Sequence, residues 1–180
     1  MSRFLFVQTA FQTHEVVIVE DATLIRVFQS SSARDTVQFL QTTLLSLVDL
    51  SFDALVFVAG PGSFTALRVG ATWVNTIAFV RQIPVVTVTS LEYVSWLQSV
   101  DAGGIALSFD DVRYFSLSQG QVVVNEQPST LTIVRPDQLV VALTDAVAAR
   151  LELLVQSADR THRSTDVLYV LPPKITQRKK

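Results

Sequence analysis

Gly60-Pro61-Gly62-Ser63-Phe64-Thr65-Ala66-Leu67-Arg68-Val69-Gly70 is the stretch that decides how this chain folds. The run before it, Ala54-Leu55-Val56-Phe57-Val58-Ala59, reads as a buried strand. After it, Val69 to Val80 is almost free of charge and reads as a buried helix. A strand, a tight Gly-Pro-Gly turn and a helix with Ser63 or Thr65 as N-cap make a strand-to-helix corner. Such corners are where α/β proteins turn backbone N–H groups toward ligands, which makes this one the first candidate site.

Working outward, Phe4 to Val7, Glu15 to Val19 and Thr23 to Phe28 read as short strands, the last two joined as a hairpin through Glu20-Asp21. Ser32 and Asp35 have the spacing of a capping box, and the helix they start should run to about Leu50. No charge occurs from Thr36 to Val48, so the apolar stripe of that helix is wider than the ~100° needed to cover one sheet face. Val85 to Val88 reads as a strand and Leu91 to Leu97 as a short helix capped by Ser90. Asp101-Ala102-Gly103-Gly104 is the clearest break. Beyond it, Ile105 to Phe109, Tyr114 to Leu117 and Gln121 to Val124 read as a meander. A helix from Pro136-Asp137 to about Val155 and a closing strand, Val167 to Leu171, complete the order. The expectation is an α/β chain in two lobes, residues 1–102 and 103–180, with no legible internal repeat.

Hydrophobic residues make up 49% of the chain and charged residues 17%, against roughly 25% charged in an average globular protein. The shortfall implies additional buried surface, inside the chain or against a partner. No apolar run reaches the ~18 residues of a membrane span, since Arg68, Arg81 and several prolines interrupt the best candidates. The opening Met1-Ser2-Arg3 and Phe4 to Val7 do not make a signal peptide, and the absence of cysteine suits a cytoplasmic protein. Net charge is −2, so the body is no electrostatic trap for nucleic acid, and the basic end from Lys174 to Lys180 reads as a solvated tail.

Catalytic chemistry finds little support. The glycine corner lacks the lysine of a P-loop and the third glycine of a dinucleotide fingerprint, which favours a structural corner over a phosphate site. His14 and His162 stand at opposite ends of the chain and read as surface residues, far short of a zinc set. Ser63 is not in a G-x-S-x-G elbow, because Thr65 fills the last glycine position. Its expected job is to accept N–H bonds from the first turn of the helix. Asp110 and Asp111 with Arg113 could hold a cation or share a proton, but an ion pair beside a turn is the favoured reading. What remains is an active-site-like corner without catalytic residue types, flanked by two low-charge helices. Those helices are the expected binding surface.

The corner closely resembles the G-P-G-S-F-T-G-L-R-[IV]-G signature of the TsaB (YeaZ) family, the bacterial accessory subunit in making the threonylcarbamoyladenosine next to the anticodon of tRNA. Pro84-Val85-Val86-Thr87-Val88-Thr89-Ser90-Leu91-Glu92 resembles that family's strand-then-S-L-E segment. Asp111-Val112-Arg113 resembles its D-A-R turn, and Tyr169-Val170-Leu171-Pro172-Pro173 its closing strand. The resemblance is strong over about residues 50–95. It implies the actin-like, sugar-kinase and Hsp70-type ATPase fold in two lobes, no catalysis, no metal and no cofactor. It also implies pairing, with a TsaD-like catalytic subunit or with a second copy, through the first two helices, Ser32 to Leu50 and Phe64 to Val80. A TsaE-like ATPase is a further candidate partner, and tRNA is reached only through the complex.

On this reading Val37, Leu40, Leu44, Phe64, Leu67, Val69, Trp73 and Ile77 are the interface anchors. Gly60, Pro61, Gly62, Ser63, Thr65 and Arg68 form the structural corner. The chain departs from the pattern in three places. Gln8-Thr9-Ala10 stands where the ATPase fold carries an Asp, Ala66 replaces a glycine, and the second lobe looks shortened. The competing readings are a small ATPase or phosphotransferase of the same fold using Asp110 or Asp111, and a homodimeric structural protein with no tRNA role.

Overall fold

Phe4, Leu5, Phe6 and Val7 have no polar residue to alternate with, and the strand they form is buried on both faces. It is the centre of a computed structural model that describes residues 2–30, 35–109, 113–125, 130–135, 143–159, 161 and 163–166. The elements run β1 (Arg3–Gln8), β2 (His14–Glu20), β3 (Thr23–Ser30), α1 (Thr36–Leu45), β4 (Ala54–Gly60), α2 (Phe64–Arg81), β5 (Val85–Thr89) and α3 (Ser90–Gln98). Then follow β6 (Ile105–Ser108), β7 (Tyr114–Ser118), β8 (Gln121–Asn125), β9 (Thr132–Val134) and α4 (Asp145–Ser157). No helix among the described residues is long and apolar enough to cross a membrane.

The first sheet has five strands in the order β3-β2-β1-β4-β5. The hairpin strands pair antiparallel, Phe6 opposite Val17, whereas β1, β4 and β5 are parallel, Phe4 opposite Ala54 and Leu55 opposite Val85. Helix α1 leads from β3 into β4, α2 returns the chain from β4 to the parallel β5, and the two helices pack side by side with α2 over β4. Helices α3 and α4 pack together and against β4 as well, which leaves β4 buried along its whole length.

The second sheet, in the order β8-β7-β6-β9, repeats the device: an antiparallel meander, then a strand returning parallel to the first, with Ala106 opposite Ile133. This repeated topology was not legible as an internal repeat, because topology recurs without residue identity. The apolar core is continuous, running from Phe4 and Val56 through Tyr93 and Val94 to Ile105, Leu107 and Leu151. From the second half of the chain, α4 and residues 163–166 return to the first sheet. The carboxylate of Asp145 accepts from the Leu24 N–H at 3.1 Å, and Asn75 and Thr165 exchange hydrogen bonds of 3.0 and 2.7 Å.

Several expected boundaries shift. Helix α1 ends at Leu45 instead of near Leu50: the bonds tighten there to the i−3 pattern, Ser46 N–H to Thr43 O and Leu47 N–H to Leu44 O, and a side chain holds the turn that follows. The Arg81 guanidinium donates to Leu47 O at 3.2 Å, to Val48 O at 2.9 Å and to Leu50 O. Asp35 occupies the N-cap of α1 without a side-chain capping bond, and Ser32 lies outside the described residues. Helix α3 is capped by Thr89 in a reciprocal box with Glu92, one position before the expected Ser90. Strand β9 was not anticipated, being too short for an alternation to show. Helix α4 begins at Asp145; the expected start at Pro136-Asp137 and the closing strand Val167 to Leu171 lie outside the described residues.

His14, read as a surface residue, is fully buried in β2 with its Nε2 2.8 Å from Thr36 Oγ1. Hydroxyl-rich sequence around it disguised a strand start. Its neighbour Glu15 is also fully buried and joins the hairpin to α3. The Tyr93 hydroxyl donates to Glu15 Oε2 at 2.5 Å, and the amides of Gln29 and Gln8 donate at 3.0 and 3.3 Å. Burial pushes the Glu15 carboxyl above its ordinary value of 4.5, against the pull of these donors.

A raised native pKa means that the folded chain holds a proton which the unfolded chain releases. The contribution of Glu15 to stability is therefore full below 4.5 and is lost as pH rises through the native pKa. Glu15→Gln, which keeps the shape and removes the titration, should flatten the pH dependence of the urea midpoint over that window. An unchanged slope would assign the dependence to another group.

Candidate functional site

At the end of β4 the chain turns through Gly60, with φ 120°, and a cis Gly60–Pro61 bond. The left-handed backbone at Gly60 is open to glycine at no steric cost. The corner then braces itself against the loop after β1. The Ser63 N–H donates to Ala10 O at 2.8 Å, and a Cβ on Gly62 would stand 2.7 Å from the Ala10 Cβ. One turn into the helix, a Cβ on Gly70 would strike the Thr9 hydroxyl and stand 3.0 Å from the Phe57 ring. Ser63 occupies the N-cap position, yet its side chain makes no capping bond; its carbonyl accepts the Leu67 N–H at 2.9 Å. The expected role for its hydroxyl is corrected accordingly. Thr65 is inside the helix and exposed. The corner's amide points into the protein, and the corner joins two layers of the fold.

Between helices α1 and α2 lies a groove of about 560 Å³. Leu40, 1% exposed, and Ile77, 8% exposed, form its floor. Val37, Leu44, Phe64, Val69 and Trp73 line it at partial or open exposure. The structure thus gathers seven of the eight anchors read from the sequence. Leu67 is the exception. At 2% exposure it shares the helical spacing of Ala71, Val74 and Ala78, the stripe that packs on the sheet.

Arg68 also departs from its expected place. It lines the groove instead of the corner, exposed, with its guanidinium 5.5 Å from the Phe64 ring centroid.

Sequence reasoning passed over Gln41, Thr72 and Thr76, which complete the walls. The two threonine hydroxyls donate back along the helix, Thr72 to Arg68 O and Thr76 to Thr72 O, each at 2.8 Å. Their hydrogens are engaged within the helix, which leaves their methyl groups as the less polar surface. The spacing of positions 65, 69, 72 and 76 along one helical face was the signal that could have found them. Phe79 and Val80, 74% and 71% exposed, and Leu45 and Val48, 78% and 57% exposed, add open apolar surface at the far ends of the same two helices. Arg81 ties those ends together through the carbonyls after α1.

Among the described residues, no three His, Cys, Asp or Glu side chains are grouped to hold an ion. Asp110 and Asp111 lie outside the described residues. Gln8, where an ATPase of the expected fold carries Asp, is buried and engaged locally. Its amide donates to Thr13 O at 2.9 Å and its carbonyl accepts the Phe11 N–H at 3.0 Å.

Residues 34–110, which include both groove helices, match the family model of TsaD, tRNA N6-adenosine threonylcarbamoyltransferase. No curated protein matches the chain at a significant level. Among solved structures, an uncharacterized protein with similarity to peptidase YeaZ from Pseudomonas aeruginosa superposes with a TM-score of 0.63 at 14% identity, over 95% of this chain and 100% of that one. YeaZ from Pseudomonas aeruginosa superposes with a TM-score of 0.53 at 22% identity, over 80% of this chain and 72% of that one. The mixed α/β fold with two sheets is that of the YeaZ structures, as the resemblance implied. The TsaD match is consistent with a YeaZ-type chain.

Gly62→Ala should lower stability by about 1–3 kcal/mol through overpacking against Ala10. Gly104→Ala, whose Cβ would meet nothing within 4 Å, is the control and should leave the urea midpoint within a few tenths of a molar. Equal midpoints for both variants would remove the close approach from the account.

Proposed function

We propose that this chain is a TsaB-like accessory subunit of a tRNA threonylcarbamoyladenosine-modifying system, non-catalytic, which docks its α1–α2 groove on a TsaD-like catalytic subunit. The observation that carries the reading is the groove itself: an apolar floor and walls between two helices that hold no acidic residue. The partner's own helices would fill it as a four-helix interface and be held in their active arrangement. Alone, the chain pairs with a second copy through the same face. A TsaE-like ATPase joins the assembly, tRNA is contacted through the catalytic subunit, and the complex works in the cytoplasm.

A volume near 560 Å³ also falls in the ~300–1,000 Å³ range of small-molecule pockets. Such pockets carry convergent polar groups that orient a ligand. Here the Thr72 and Thr76 hydroxyls donate to helix carbonyls, and among the described lining residues the Arg68 guanidinium is the only charge. That favours an apolar macromolecular surface as occupant. Gln8, engaged with Thr13 and Phe11 where a metal-binding carboxylate would stand, supports the non-catalytic part of the reading.

Burying each exposed anchor contributes roughly 1.5–3 kcal/mol, against several kcal/mol lost on association. Leu44→Asp and Trp73→Asp, both at half-buried positions, should each abolish pairing with a TsaD-like subunit and with a second copy, while circular dichroism shows a folded chain. Light scattering reads the outcome. Complexes of unchanged mass for both variants would place the interface elsewhere.

A further inference from the structure

We infer that the surface docking in the α1–α2 groove belongs to a non-identical chain and presents a carboxylate to Arg68. The inference rests on the docking reading above and adds the chemistry of the partner. Among the described residues, Arg68 is the only charged one lining the groove. Its guanidinium lies over the face of Phe64, and no described carboxylate pairs with it. While the groove is open, water solvates that charge.

Anything that fills the groove covers Arg68, and a guanidinium stripped of water without a counter-charge opposes binding strongly. Arg81, the other cation on α2, differs in this respect: its donors are already engaged by the carbonyls after α1. The occupant must therefore be apolar over most of its contact and acidic at one point. A nucleic-acid backbone fails the first condition, because it presents charge all along its length to a groove whose described lining is mostly apolar.

A second copy of this chain offers no acid from the docking helices themselves. Helices α1 and α2 contain no Asp or Glu, so docking them on themselves brings no acid of either helix to Arg68. The acids nearest in sequence, Asp35 and Asp49, stand beyond the two ends of α1. Self-pairing can use the apolar surface alone. It covers Arg68 of both copies without a counter-charge, so it is the weaker association and is not weakened by added salt.

The test is a titration of the purified chain with the TsaD-like catalytic subunit at about 0.05 M and 0.5 M salt, a range that spans strong to weak screening. Wild type, Arg68→Gln, Arg68→Lys and Trp73→Asp are compared. Wild-type affinity should fall on raising salt. Arg68→Gln should bind at least about tenfold more weakly at low salt and lose most of the salt dependence, while Arg68→Lys retains the dependence. Self-association, followed by sedimentation, should not weaken in Arg68→Gln, since no carboxylate contact is lost there. If Arg68→Gln binds the catalytic subunit as wild type does at both salts while Trp73→Asp does not bind, the groove stands and the carboxylate is refuted. If Trp73→Asp binds normally too, the docking reading falls and takes this inference with it.

Discussion

Helix α2 can lie on its sheet only where the helix backbone comes within contact distance of the loop after β1. Gly62 sits against Ala10 and Gly70 against Thr9 and Phe57, at separations that leave no room for a Cβ. That seating fixes the height and direction of α2. It turns Leu67, Ala71, Val74 and Ala78 down onto the sheet and leaves the opposite stripe outward. Helix α1 is then positioned by α2 in turn, through Arg81 and the carbonyls that follow Leu45. The groove is the space left between two helices whose places are set in this order. Its shape is thus a consequence of glycine packing some distance from its walls.

The sequence announced the larger part of this arrangement. Unbroken apolar runs such as Ala54 to Ala59 gave buried parallel strands, and the charge-free segments gave the helices that flank the groove. What stayed hidden depended on contacts between distant residues. The turn after α1 is held by an arginine more than thirty positions later, as the Arg81 to Val48 bond shows. His14 and Glu15 look like polar hairpin residues, and only the packing of Tyr93 and Thr36 over them makes them interior. Leu67 and Arg68 are adjacent in an apolar signature, yet one turns to the core and the other to the groove; a rotation of about 100° per residue separates them. The twofold use of a meander with a parallel return is a property of chain path, and no residue pattern carried it.

The same physical description connects to function through what the groove lacks. An interior-facing helix pair would be expected to be covered, and an outward-facing pair to carry charge. Here α1 carries no charge, α2 carries two arginines, and apolar side chains from Val37 to Phe79 remain open to solvent. The likeness to YeaZ structures establishes the fold, and the TsaD match falls on the segment that contains these helices. The proposed role, in which tRNA is reached through a partner, needs no cationic surface on this chain, and its net charge is −2.

Hydrogen–deuterium exchange across the chain, with and without the TsaD-like catalytic subunit, tests the central claim most directly. Amides in Thr36–Leu45 and Phe64–Arg81 should exchange more slowly in the complex, with β3 and the β6–β8 meander unaffected. Slowing confined to the meander or to β3, with both helices exchanging as in the free chain, would contradict the account.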